Sequence, residues 1–193
     1  GIPNNVDTAI ATMEAAQGLP MHLAHIQFYG YGNQGERGFS SESAKLIDAF
    51  HKHPNITMDV GQVLFGQTVT ISGDVIAQFS RRDDANPKKW VVWDAECQGS
   101  GGVVPYRYQA KSFVNSLQWL IGLEIFLLAQ DPWRLFFTTD HPNGAPFTCY
   151  PQLIRLLMDY DYRLECISQL HPQAVEMTLV KDLKKEFSLY EIA

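Results

Sequence analysis

Leu135-Phe136-Phe137-Thr138-Thr139-Asp140-His141-Pro142-Asn143-Gly144 decides how the rest of this chain is read. Leu135 to Thr139 is aromatic and β-branched enough to be a strand, and the Pro-Asn-Gly sequence beyond it is turn chemistry. A carboxylate, Asp140, is thereby placed just as the chain leaves the core. The same arrangement recurs upstream. Ile56 to Val60 reads as a strand with Asp59, Gly61 and Gln62 at its C-terminal end, and Met21 to Phe28 reads as another, carrying His25 and Gln27. In that first strand a period of two puts Met21, Leu23, His25 and Gln27 on one face and His22, Ala24, Ile26 and Phe28 on the other.

Helices separate the strands. Val6, Ile10, Met13 and Gln17 share a helix face behind a cap at Asn4 or Asn5, and Gly18-Leu19-Pro20 ends it. Ser40 or Ser41 caps a helix through Ala44, Ile47 and Phe50 to His53, which Pro54 stops. Ser112 caps an almost uniformly apolar helix that Asp131-Pro132 closes, and proline at a tolerated first-turn position opens helices after Tyr150 and His171. Three alternations of strand and helix predict parallel strands with crossover helices, an α/β fold. Polar residues at successive strand ends suit the rim of a (β/α) barrel and equally the crevice of an open doubly wound sheet, so position alone leaves both open. Periodicity is poor over 63–110, which Gly99, Gly101, Gly102 and Pro105 punctuate. It reads as an irregular insertion with some strand content, of a length that is usually functional. Both termini read as cuts through a longer chain: no methionine precedes the first helix, and the last six residues are a serine-capped helix of barely one turn.

With 193 residues, 46% of them hydrophobic, the chain can bury one good core. Its net charge of −6 comes without a basic cluster, which argues against a nucleic-acid or anionic-membrane partner. Cys97, Cys149 and Cys166 are odd in number and lack C-x-x-C spacing, which points away from a disulfide framework and toward a reducing, cytoplasmic setting. The apolar run Leu117 to Leu128 is interrupted by Gln118 and Glu124 and is too short to span a bilayer.

Two residues carry the candidate chemistry. His25, at the polar end of an apolar strand, can present a neutral imidazole to a divalent metal; the alternative is a hydrogen-bonded core histidine. Asp140 can ligate a metal and take a proton from an activated water; the alternative is a turn cap. On a regular strand His22 faces away from His25, so the two cannot share one ion without a bulge, and His22 reads as structural. His51-Lys52-His53 imitates a metal-binding H-x-H pair, but it ends an amphipathic helix, where cationic side chains suit the helix dipole. Gln98-Gly99-Ser100-Gly101-Gly102 could offer backbone N–H groups to an anion, yet it lacks the strand-to-helix context of a phosphate loop.

The stretches His22-Leu23-Ala24-His25-Ile26-Gln27-Phe28-Tyr29-Gly30-Tyr31-Gly32, Asp59-Val60-Gly61-Gln62, Gly101-Gly102-Val103-Val104-Pro105 and Thr138 to Phe147 resemble one family. It is that of the A subunits of formylmethanofuran dehydrogenase and of the bacterial formyltransferase/hydrolase complex, within the amidohydrolase superfamily. The resemblance implies a partial (β/α) TIM-type barrel covering roughly strands 6 to 8, with 1–193 as the C-terminal part of the barrel domain. It implies a binuclear zinc or similar divalent centre in which His25 binds one metal and Asp140 binds the other and moves protons. Gln27, Gln62, His141 and Asn143 are the expected substrate contacts. The remaining ligands have no match in this sequence. The implied reaction is cleavage or formation of the formamide bond of formylmethanofuran, within a multisubunit complex. A cyclic-amide hydrolase of the dihydroorotase or hydantoinase type shares the same ligand logic. A non-catalytic scaffold protein of such a complex is the reading of a different class, separable by whether the full-length chain binds metal.

Overall fold

The computed structural model describes residues 5–34, 38–72 and 102–192. Three parallel strands form its centre: β1 (Met21–Leu23), β4 (Ile56–Gly61) and β7 (Leu135–Thr138), side by side in the order β1-β4-β7. His22 lies level with Thr57 and Gly61 with Thr138, so all three strands deliver their C-terminal ends to the same edge. Two small antiparallel pairs accompany this sheet: β2 (Tyr31–Gly32) with β3 (Ser40–Ser41), and β5 (Gly66–Ser72) with β6 (Gly102–Tyr108).

Helices cover the sheet. α1 (Val6–Ala15) begins at Asn5, whose Oδ1 accepts from the Thr8 N–H at 3.1 Å, and buries Val6, Ala9 and Met13. α2 (Ser43–Lys52) is the crossover from β1 to β4 and buries Leu46, Ile47, Ala49 and Phe50. Ser40 and Ser41 belong to β3 and do not cap it; the helix starts behind Glu42 without a side-chain cap. α3 (Phe113–Leu128) is capped by Ser112, and Val114 is the single residue of its sixteen that stands clearly exposed. A helix apolar on every face is one packed on every face. α4 (Tyr150–Met158), α5 (Tyr160–Ile167), α6 (Pro172–Glu176) and α7 (Leu189–Ile192) close the chain. Among the described residues no helix is long and apolar enough to cross a membrane.

The segment 63–110 is more regular at its base than its sequence suggests. β5 and β6 pair over seven consecutive positions, from Gly66 opposite Tyr108 to Ser72 opposite Gly102. Glycine and proline at the strand ends and inside β6 obscured this ladder, because such punctuation is tolerated in a two-stranded ribbon, where each strand has a single ladder partner among the described residues. Trp90, Trp93, Cys97 and the glycine run at 98–101 lie outside the described residues.

Candidate metal centre at the strand ends

β1 stops at Leu23, short of the expected Phe28. The chain turns at His25, whose backbone is left-handed (φ 52°), and Ile26–Tyr29 then forms a 3-10 turn. Period-two alternation therefore fails at the residue where it mattered most. His22 and His25 do not face apart; both meet the carboxylate of Asp59 at the end of β4. His22 Nε2 lies 2.9 Å from Asp59 Oδ2 while its Nδ1 contacts the Thr57 hydroxyl at 2.9 Å. The His25 backbone N–H donates to Asp59 Oδ1 at 2.9 Å, and the Thr138 hydroxyl reaches the same oxygen at 3.4 Å. A left-handed backbone costs a non-glycine residue about 1–2 kcal/mol. A hydrogen bond to a charged acceptor contributes about 1.5–3 kcal/mol, enough to offset it.

Asp140 follows β7 and is also left-handed (φ 47°). Its carbonyl accepts from the N–H groups of Asn143 and Gly144, folding 140–144 into a compact turn, and Asn143 Nδ2 donates to Asp140 Oδ1 at 3.2 Å. The Thr68 hydroxyl of β5 donates to the carbonyls of Pro142 and Asn143, tying the β5–β6 ribbon to this turn. Gly61 sits beneath: a Cβ there would lie 3.0 Å from both Asp140 Cβ and His25 Cδ2, so any larger residue would press on both groups.

The result is a cluster in which His25 Nε2 lies 3.6 Å from Asp140 Oδ1 and 3.7 Å from Asp59 Oδ1. His25 keeps 38% of its side chain exposed, against 10% for Asp59 and 17% for Asp140, so the imidazole opens to the outside while the carboxylates are sunk. Two donors on one tetrahedral zinc ion sit roughly 3.4 Å apart when each bond is about 2.0–2.1 Å. Imidazole and carboxylate at this spacing fit a divalent cation. They do not complete a site: among the described residues no three His, Cys, Asp or Glu groups close into a metal-ligand cluster. Asn143 Oδ1 and Thr139 Oγ1, on either side of Asp140, are buried with no hydrogen-bond partner among the described residues.

The other expected contacts divide. Gln27 and Gln62 are both fully buried. The Gln27 amide grips Gly61 from both sides, donating to its carbonyl at 2.6 Å and accepting from its N–H at 2.9 Å. Gln62 turns into α3 and donates to the Trp119 carbonyl at 3.1 Å. Neither side chain offers surface to a substrate; both hold backbone. His141 and Asn143 stay beside Asp140, and His141 Nδ1 accepts from the Phe147 N–H at 3.2 Å. With Nδ1 accepting, a neutral imidazole here carries its proton on Nε2, for which no partner stands among the described residues. His51, in the H-x-H imitation, accepts from the Gln130 N–H at 3.2 Å and ends the helix that leads into the start of β4, not its C-terminal end.

Sequence reasoning missed Tyr108. Burial pushes its phenol up to about 12, with Tyr106 and then the Asp140 charge adding to the effect, which sets Tyr108 within electrostatic reach of Asp140. Nothing in its sequence setting marked it. It became visible only once Gly66 and Tyr108 were paired at the base of the ribbon.

A model of the amidohydrolase family matches residues 3–193. The chain belongs to the amidohydrolase family. This amidohydrolase is 48% identical over 198 residues to the A subunit of the formyltransferase/hydrolase complex Fhc of Methylorubrum extorquens, an alignment covering 100% of this chain and 36% of that protein. It is 35% identical over 205 residues to Protein FwdA of Methanocaldococcus jannaschii, again over 100% of this chain and 36% of the other. It also superposes on a chain of the crystal structure of the formyltransferase/hydrolase complex (FhcABCD) from Methylorubrum extorquens in complex with methylofuran. There the TM-score is 0.81 at 46% identity, over 99% of this chain and 35% of that one. The amidohydrolase therefore spans about a third of the length of the relatives it matches. Its parallel strands and outer helices match a piece of a TIM-barrel-type amidohydrolase, which decides between the barrel and the doubly wound sheet.

Proposed function

We propose that these 193 residues are the C-terminal part of an amidohydrolase barrel domain, strands 6 to 8, and supply His25 and Asp140 to the zinc centre of a formylmethanofuran-processing subunit. The observation that carries this is the 3.6 Å approach of His25 Nε2 to Asp140 Oδ1 at the C-terminal ends of parallel strands, where barrel enzymes keep their chemistry. The spacing is compatible with donors to one ion or to two neighbouring ions. Methylofuran in the solved relative's complex supports a furan-type coenzyme as the partner, and that relative's assembly supports further subunits. The reading places the complex in the cytoplasm, in one-carbon metabolism.

A divalent metal held by His25 and Asp140 would polarise the formyl oxygen and lower the pKa of water. Asp140 takes a proton from the attacking water and passes it to the amide nitrogen, so that the C–N bond breaks as a C–O bond forms, giving formate and the free amine. His141 Nε2–H and Asn143 flank this carboxylate and orient the formamide. The reverse sequence forms the amide.

The test is formate release from formylmethanofuran by the full-length subunit in its complex. Asp140→Asn is expected to lower kcat by at least about 100-fold, the scale of a lost proton-transfer group, while metal content and assembly persist. Undiminished turnover would remove Asp140 from the proton path; a wild type that releases no formate would remove the substrate.

A further inference from the structure

The backbone of His25 sits between two fixed points. Before it, β1 is laddered to β4 up to Leu23 opposite Met58. After it, Ile26 and Gln27 are buried, and Gln27 is clasped to Gly61. Between those points the His25 N–H belongs neither to the ladder nor to the 3-10 turn, and its partner is a side chain, Asp59 Oδ1. Asp59 is itself fixed from two further directions, by His22 on Oδ2 and by Thr138 on Oδ1, and only 7% of the residue is exposed. Its contacts thus come from β1, β7 and the turn between β1 and α2, the places where the ring and carboxylate of the candidate centre are set.

We propose that Asp59 is a positioning residue: by holding the His25 N–H it keeps the left-handed turn that aims the His25 imidazole at Asp140. This rests on the reading of His25 as a metal ligand. Asp59 does not need to touch metal or substrate; it acts through the backbone of its neighbour, and its Oδ1 acceptor matters more than its charge. His22 and Thr138 keep the carboxylate from rotating away.

The distinction gives the test. In the full-length subunit within its complex, Asp59→Ala removes the acceptor, whereas Asp59→Asn keeps one oxygen that can face the His25 N–H. Cobalt affinity is read by competition with a chromophoric chelator, and ligand geometry by the visible spectrum of the cobalt-loaded protein. Asp59→Ala is expected to weaken cobalt binding by about 10–100-fold and lower kcat more than it changes KM, the usual scale for a residue that orients a ligand. Asp59→Asn is expected to restore most of the affinity and a wild-type spectrum. Equal loss in both variants overturns the proposal, because charge would then be what matters, and so does an Asp59→Ala protein with wild-type affinity and spectrum. If Asp59→Ala fails to assemble, Asp59→Asn decides alone: a wild-type spectrum supports the clamp and an altered one overturns it. A wild type that binds no cobalt fails in a different way, by removing the metal-centre reading on which the clamp depends.

Discussion

His25 and Asp140 share a property that no side-chain inventory reveals: both are non-glycine residues in the left-handed region, and the other such residue among the described ones, Gln17, follows the end of α1. The identities of the two were legible because each follows an apolar run. Their convergence was not, since it depends on β1 ending at Leu23, five residues before the expected Phe28, and on a backbone turn that alternation cannot represent. Asp59 was visible as a strand-end carboxylate, and its role as the group both histidines meet followed from that same turn. Gly61 makes the tightest prediction at this scale. With only 3.0 Å between a Cβ there and the atoms of His25 and Asp140, Gly61→Ala is expected to destabilise the protein by about 1–3 kcal/mol through overpacking. It should also impair metal binding out of proportion to that loss; a variant with unchanged thermal midpoint and metal content would show that the strand ends can part freely.

Among the elements, α3 was the easiest to read and conceals the most. Its uniform apolarity was plain, but Glu124 inside it is buried and joins three parts of the fold, accepting from the Leu179 N–H at 2.6 Å and the Ser41 hydroxyl at 2.5 Å. Burial raises its pKa above the ordinary 4.5, and the Leu179 and serine hydrogen bonds only partly counteract this. The folded protein therefore holds this proton more tightly than the unfolded chain. Stability from the group is present below pH 4.5 and is lost as pH rises through the elevated folded value. Glu124→Gln keeps an acceptor for Leu179 and a donor for Ser41 and removes the titration. Urea midpoints measured across that window should fall for the wild type relative to Glu124→Gln; parallel curves would mean the carboxyl is not held protonated. The ribbon β5–β6 gives a second case. Thr68→Val deletes the hydroxyl that ties it to the carbonyls of Pro142 and Asn143, and about 1 kcal/mol of stability is expected to go with it. A larger drop in kcat than in thermal midpoint would be the sign that the ribbon steadies the Asp140 turn.

At the scale of the whole molecule, the parallel sheet and the order of its elements were readable from the alternation of strand and helix, while the regular base of the ribbon was not, because pairing partners far apart in the chain leave no local period. β1 and β7 each have one strand neighbour among the described residues. Beside β7 lies an apolar hollow of about 390 Å³ lined by residues that include Phe126, Trp133, Phe136 and Leu189, and Trp133, Phe136 and Leu189 are each about half exposed. Open strand edges next to apolar surface favour self-association. Sedimentation of this chain expressed by itself should show concentration-dependent association that Phe136→Lys reduces; a monomer at all concentrations would mean the edge is harmless.

The left-handed backbone at His25 and Asp140 has a consequence for how this protein would behave under selection. Asparagine and glycine occupy that region more comfortably than histidine or aspartate do. Replacements that abolish the candidate chemistry, such as Asp140→Asn, therefore relax the chain at the point of substitution. If Asp140 has the proposed role, a screen that rewards yield or heat resistance alone would drift toward sequences that have lost it, so improvement of the full-length subunit would have to be selected on turnover.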